Sequence, residues 1–209
     1  MKMKRILSAF LILVLILSVG CGKVGEQNST EIVTFQMEPS GDRVEPFLEL
    51  LENTSYEKSG RCYRISPQTV SDQYGFHLFK FDSSCAGYLL YEDVVYPLGE
   101  WFGGYGLTSF AVADLNRDGK SELYFTCSWG SGLHRSQAGY FDSANRQMIL
   151  FDFSDIDHDS VLAVDENGTR SVYRAADCDV ASFVEITLSA GEKTASILQE
   201  GDRITLKAV

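Results

Sequence analysis

A mainly β fold, a single β-rich domain built as a sandwich or an irregular assembly of sheets, follows from three features of the sequence. Aromatic residues are abundant, with 13 Phe, 10 Tyr and 2 Trp among 209 residues, and aromatic side chains favour the half-buried surface of a strand. Short apolar runs recur along the chain with turn residues between them, and several alternate with period two. From about residue 61 onward the pattern is extended. The aromatic content also argues for a packed core rather than a disordered chain.

The chain opens with Lys2, Lys4 and Arg5, followed by an apolar run from Ile6 to Leu17 and then Ser18, Val19, Gly20 and Cys21. A basic start, an apolar centre and small closing residues are the plan of an export signal. The run is shorter than the about 20 residues that span a bilayer. Its tail, Leu17-Ser18-Val19-Gly20-Cys21, resembles the bacterial lipobox. That resemblance implies cleavage before Cys21, lipidation of its thiol and attachment to the outer side of the cell membrane. Each buried methylene contributes roughly 0.8 kcal/mol, so several acyl chains anchor firmly where one does not. Residues 1–20 are therefore expected to be a signal peptide and residues 21–45 an acylated N-terminus and tether. Residues 46–209 are expected to form the β-rich domain outside the cytoplasm.

Residues 1–20 hold three of the 18 basic residues and none of the 29 acidic ones, which leaves 15 against 29 in the remainder. No stretch is basic enough to follow a phosphate backbone, and nucleic acid is not expected as a partner. The acidic balance suits cation binding or plain solubility. Beyond Cys21 stand Cys62, Cys85, Cys127 and Cys178. Outside the cytoplasm they allow two disulfides in three pairings, or four buried thiols.

Taken in order, the tether is rich in Gly, Ser, Glu and Gln, with one early strand at residues 32–35. Residues 43–55 carry Phe47, Leu48, Leu50 and Leu51 among acids, and a short helix is expected to start near Pro46. Residues 61–66 and 75–82 alternate as strands, and residues 88–96 form another aromatic and β-branched run. Residues 108–113 and 122–128 flank an acidic loop, and residues 147–153 read as a strand. Residues 160–164 and 171–175 meet as a hairpin across Asp165-Glu166-Asn167-Gly168-Thr169, since Asn-Gly tolerates positive φ. Residues 182–189 and 203–208 are expected to close the domain as a pair, with a helix or strand over residues 192–199.

The acidic loop carries a chemical signature. Asp114, Asn116, Asp118 and Glu122 take the first, third, fifth and ninth places, with Gly119 after the fifth. Calcium takes six to eight oxygen ligands at about 2.3–2.6 Å, and alternate side chains of a tight loop converge on one ion. Lys120 would contribute its carbonyl oxygen. The twelfth place is Phe125 rather than the Glu of an EF-hand, and the flanks read as strands. Val112, Ala113, Asp114, Asn116, Asp118 and Gly119 instead resemble the calcium loop of the FG-GAP (integrin-type) repeats, over about residues 102–127. Glu122 stands where that family commonly has Asp. The resemblance implies a structural calcium ion, a propeller-like blade and an extracellular adhesive role. One repeat alone is visible, and a propeller needs at least about four blades. A weaker acidic series, Asp152, Asp155, Asp157 and Asp159, reads better as a solvated turn.

Catalytic patterns are faint. His77, His134 and His158 form no paired ligand spacing, and Ser128-Trp129-Gly130-Ser131-Gly132 is neither a nucleophile elbow nor a phosphate loop. Ser131 or Ser136 with His134 has nothing specific to single it out. Trp101, Phe102, Tyr105 and Trp129 are the candidate ligand face, suited to stacking on a sugar or a peptide, with core packing as the competing role. The expectation is a lipid-anchored surface protein that binds a protein or glycan and holds a structural calcium ion. The alternative is an extracellular hydrolase acting on envelope or host polymers.

Overall fold

The computed structural model describes residues 33–99, 102–165, 168–201 and 203–209. The export signal, Cys21, Trp101 and the Glu166-Asn167 pair lie outside the described residues. Among the described residues, no helix is long and apolar enough to cross a membrane.

The expected β-rich domain is present as three stacked antiparallel sheets. The N-terminal sheet is the meander β2 (Cys62–Arg64), β3 (His77–Phe81), β4 (Gly87–Tyr91) and β5 (Val94–Pro97). The central sheet has the order β1 (Val33–Phe35), β6 (Gly106–Ala113), β7 (Glu122–Trp129), β8 (Arg135–Asp142) and β10 (Asp155–Ile156). In the same sheet β9 (Gln147–Leu150) also pairs with β8. The C-terminal sheet is the meander β11 (Ser160–Val164), β12 (Arg170–Ser182), β13 (Glu185–Glu200) and β14 (Arg203–Ala208). Because β1 pairs with β6, the packed fold begins upstream of residue 46, inside the segment expected as a tether.

Side-chain alternation makes the stack. On β6, Phe110 and Val112 enter the core shared with the N-terminal sheet, while Ala111 and Ala113 enter the core shared with the C-terminal sheet. On β7, Leu123, Phe125 and Cys127 take the first side and Tyr124 the second. Both faces of the β6–β7 hairpin are thus dry, which explains why these strands read as nearly unbroken apolar runs. The N-terminal sheet is buried twice as well. Leu78 and Leu89 face the central sheet, while Phe79, Phe81 and Tyr88 face helix α1 (Val44–Glu52). Phe47 and Leu51, one turn apart on α1, are buried there, and the Phe47 ring lies flat on Phe79 with centroids 4.0 Å apart. This outer face is closed by a helix rather than by a further sheet.

Several elements differ from expectation for local reasons. Residues 88–96 are not one strand but the hairpin β4–β5, because Glu92 and Asp93 both adopt positive φ (46° and 63°), the backbone of a two-residue hairpin turn. Residues 182–189 do not pair with residues 203–208. They run back along β12, whose Val180 faces Ile186, and β14 pairs instead with the far end of β13, Leu206 opposite Ile197. Residues 192–199 are strand throughout. Helix α2 (Gln68–Tyr74) was not expected, although Pro67 before it and Gly75 after it, at φ 72°, are ordinary helix boundaries. Strand β8 also went unread, since its polar first half hides the pattern.

Cys62 and Cys127 are buried free thiols, Cys178 is an exposed one and Cys85 is buried, so the buried-thiol alternative describes the first two.

Lys80 is fully buried on β3, between two layers. Its ammonium donates to the carbonyls of Tyr105 (2.8 Å) and Leu107 (2.9 Å), tying the N-terminal sheet to the start of β6. Burial lowers its pKa from 10.5 to about 7. The unfolded chain therefore holds the extra proton between these values, and the contribution of Lys80 to stability rises with pH across that window. The difference in unfolding free energy between the native protein and Lys80→Met, measured by denaturant titration, should grow from pH 7 to pH 10. In the same assay Phe125→Ala should cost about 3–5 kcal/mol through lost burial and the cavity left behind.

Candidate metal centre

The β6–β7 hairpin fixes the acidic loop at its tip. Ala113 and Glu122 are the last paired residues, so both ends of the loop are anchored in the central sheet. Inside it, the Asp114 carboxylate accepts from the Asp118 and Gly119 amides at 3.1 and 3.0 Å. The Asn116 side-chain oxygen accepts from the Asp118 amide at 3.0 Å, and Asp118 accepts from the Lys120 amide at 2.8 Å. Arg117 and Gly119 adopt positive φ (61° and 85°), which curls the chain around the carboxylates. The C-terminal sheet supports the loop from outside, where Gln199 Nε2 donates to the Asn116 carbonyl at 3.4 Å.

Three of the expected ligands converge. One oxygen each of Asp114, Asp118 and Glu122 lie within 4.8 Å of one another, the sole such trio of His, Cys, Asp or Glu ligand atoms among the described residues. No two are farther apart than opposite ligands of one calcium ion at about 2.4 Å each. The three residues differ in setting: Asp118 is exposed, Asp114 half-buried and Glu122 only 1% exposed. Glu122 Oε2 accepts from the Leu115 amide and the Tyr124 hydroxyl, both at 2.9 Å. Desolvation raises the Glu122 pKa from 4.5 to about 7, those two hydrogen bonds lower it, and Asp114 and Asp118 add to the rise. An ion seated here would take on the charge that burial penalises.

The second acidic series does not converge. Asp155 is buried and paired through both oxygens with Arg174, at 2.9 and 3.3 Å. Asp159 instead receives His134 Nδ1 at 3.1 Å.

The aromatic face is brought together only in part. Phe102 is 72% exposed. Trp129 is half-buried under the Arg135 guanidinium, 5.2 Å from its ring centre, and Tyr105 is half-buried with its ring edge-on to His134. The glycines between them permit a close crossing. A Cβ on Gly104 would meet the Trp129 backbone at 2.6 Å, and Gly103, Gly104 and Gly106 all take positive φ. Trp129 and Tyr105 therefore share their surface with the fold, and Phe102 alone of the described three is open.

A serine relay is not assembled. Ser128 Oγ and Asp159 both approach the same His134 nitrogen, Nδ1, whereas a relay needs nucleophile and carboxylate on opposite nitrogens. Ser136 donates to the His158 carbonyl instead. The His134–Asp159 pair leaves no signal in the sequence, because its partners lie in two connections far apart along the chain.

No family model, characterised protein or solved structure matches the chain.

The raised Glu122 pKa sets a pH dependence. With divalent ions chelated, the folded state binds the extra proton between pH 4.5 and about 7, so this residue's contribution to stability falls as pH rises through that window. Thermal unfolding in chelator should lose less stability across that range in Glu122→Gln than in the native protein.

Proposed function

We propose that this chain is an exported lipoprotein, anchored in the cell membrane through lipid on Cys21, whose β-rich domain is a non-enzymatic binding module held in shape by one calcium ion. The observation that carries the calcium reading is the trio of Asp114, Asp118 and Glu122 oxygens within 4.8 Å, one of them from a buried carboxylate. Asn116 adds a neutral oxygen and Lys120 its carbonyl, in a loop already curled by hydrogen bonds. The ion is structural: it offsets three carboxylates and pins the β6–β7 tip against the C-terminal sheet. Imidazole and thiol ligands are absent from this trio, and an all-oxygen set suits a hard cation.

The anchoring reading rests on the basic start, the apolar run and the lipobox-like tail that ends in Cys21. The binding reading rests on the open Phe102 ring, whose backbone carbonyl accepts from the Gly130 amide next to Trp129, a surface suited to stacking on a protein or glycan ligand.

The full chain, purified in detergent, should unfold at a higher temperature in excess calcium than in excess chelator, since an ion bound only to the folded state stabilises by linkage. At a calcium concentration of 100 times Kd the gain is about 2.7 kcal/mol. Asp118→Ala, whose side chain is exposed, should fold and lose that gain. Identical unfolding with and without calcium would remove the metal from this reading.

A further inference from the structure

Of the seven large apolar residues exposed among the described residues, three stand at one end of the central sheet: Phe102 at 72%, Ile156 at 55% and Leu133 at 38%. Single exposed apolar side chains are ordinary, but several together mark a surface that meets a partner. Backbone contacts hold the three segments side by side. The Gly130 amide donates to the Phe102 carbonyl at 2.7 Å, and the Asp157 amide donates to the His134 carbonyl at 2.8 Å. Phe102 thus sits beside the β7–β8 connection, which carries Leu133. Ile156 pairs with Arg135, where that connection ends.

An open cleft of about 370 Å³ adjoins these segments. Asp157, Asp159 and His134 line it together with Asp177 of β12. His134 takes up the Asp159 carboxylate at 3.1 Å. Asp157 and Asp177 make no ion pair with any described residue. Among the described residues no lysine or arginine lines the cleft. The neighbouring guanidinium groups are engaged elsewhere, Arg135 over the Trp129 ring and Arg174 on Asp155. Uncompensated negative charge therefore stands next to exposed apolar surface.

That combination selects among ligands. Phosphate-bearing partners, whether nucleic acid or an anionic bilayer, are repelled by the carboxylates. A sugar stacks on the Phe102 ring but leaves the aliphatic Leu133 and Ile156 uncovered. A protein segment with lysine or arginine next to apolar side chains matches both halves of the surface. Resting on the binding-module reading, we infer that this end of the domain docks a basic segment of a partner protein. A cation of that segment enters the cleft at Asp157 and Asp177, while its apolar side chains cover Phe102, Leu133 and Ile156. The N-terminal segment joins the domain elsewhere. Val33 pairs with Val112, at the acidic-loop end of β6, and the patch lies beyond Gly106 at the other end. The two ends are roughly 20 Å apart at about 3.3 Å per residue of strand, so neither that segment nor the calcium loop competes for this surface.

The probe is a short fluorescein-labelled peptide alternating lysine and phenylalanine. It is titrated into the full chain in non-ionic detergent with excess calcium, and fluorescence anisotropy is read against detergent alone. Companion peptides carry glutamate or serine in place of lysine. The expected result is saturable binding of the lysine peptide, about tenfold tighter than either companion and weakening as salt rises. Asp157→Asn together with Asp177→Asn should weaken it about tenfold, and Phe102→Ser about as much. All three side chains are exposed, so these variants test recognition rather than folding, and circular dichroism checks it. Glu49→Gln with Glu52→Gln removes the same charge from exposed positions on α1 and should change nothing, whereas general attraction to an acidic protein would fall equally in both pairs. No binding of the lysine peptide, unchanged affinity in the aspartate pair, or an equal loss in the α1 pair would overturn the inference. Equal binding of the serine peptide, lost in Phe102→Ser, would overturn the cationic partner and leave the binding module standing. Unfolding of the same samples with calcium and with chelator reports on the calcium loop separately.

Discussion

A hairpin that is dry on both faces has no water to complete its polar groups, and the β6–β7 hairpin is in that position. The polar atoms it buries need partners, and those that come from a neighbouring layer fix how the layers stack. At one end the buried Lys80 reaches from the N-terminal sheet to the carbonyls of Tyr105 and Leu107. In the middle, Thr108 and Thr126 both donate to the Ser160 carbonyl of the C-terminal sheet, at 2.9 and 3.1 Å. The irregular pairing of β6 between Leu107 and Ser109 falls beside that contact. At the far end Glu122 is held by Leu115 and Tyr124. Apolar burial supplies most of the gain in free energy, but these bonds set the registration of three sheets, because an unpaired buried polar group costs about 1–3 kcal/mol.

The proposed calcium loop follows from the same constraint. Its ninth position is also the first residue of a strand buried on both sides, so the Glu122 carboxylate cannot swing out to solvent as Asp118 does. A loop on a solvated hairpin would relax its carboxylates apart. Here the strand holds one of them in place, and the amides of Asp118, Gly119 and Lys120 position the other two. An open cleft lined by His134, His158 and Cys178 has a different origin. It forms where the long β12–β13 hairpin runs past the edge of its own sheet. The tip residue Val184 is buried in the core between the N-terminal and central sheets, and that insertion brings Cys178 to the histidines.

Much of this was legible in the residues. The alternation of β3, helix α1, the hairpin around the acidic loop and the β11–β12 pair all sit where the pattern placed them. Asp114, Asp118 and Glu122 converge because their spacing is local, and a turn of nine residues leaves the backbone few choices. Misreadings came where local signals were silent. The turn at Glu92-Asp93 lacks the glycine or asparagine that usually marks a two-residue hairpin, so residues 88–96 read as one continuous run. The partner of residues 182–189 was misassigned because a strand's edge accepts any complementary strand, and apolar pattern alone does not say which. Tyr105 and Trp129 look like ligand-stacking residues in sequence, yet both also support neighbours in the fold.

By itself, then, the sequence determined what depends on residues close along the chain: the β-rich class, most of the sheet-forming segments, the order of oxygen-bearing side chains in the loop and the acidic balance. Tertiary structure decided what depends on distant residues. It made Lys80 a tie between layers, buried Glu122 so that its carboxyl resists ionisation, separated Asp155 and Asp159 onto different partners, and assembled His134, His158 and Cys178 around one cleft. The physical reason is that pattern and turn chemistry act over a few residues. Desolvation and the meeting of side chains from different sheets are set only when the layers close.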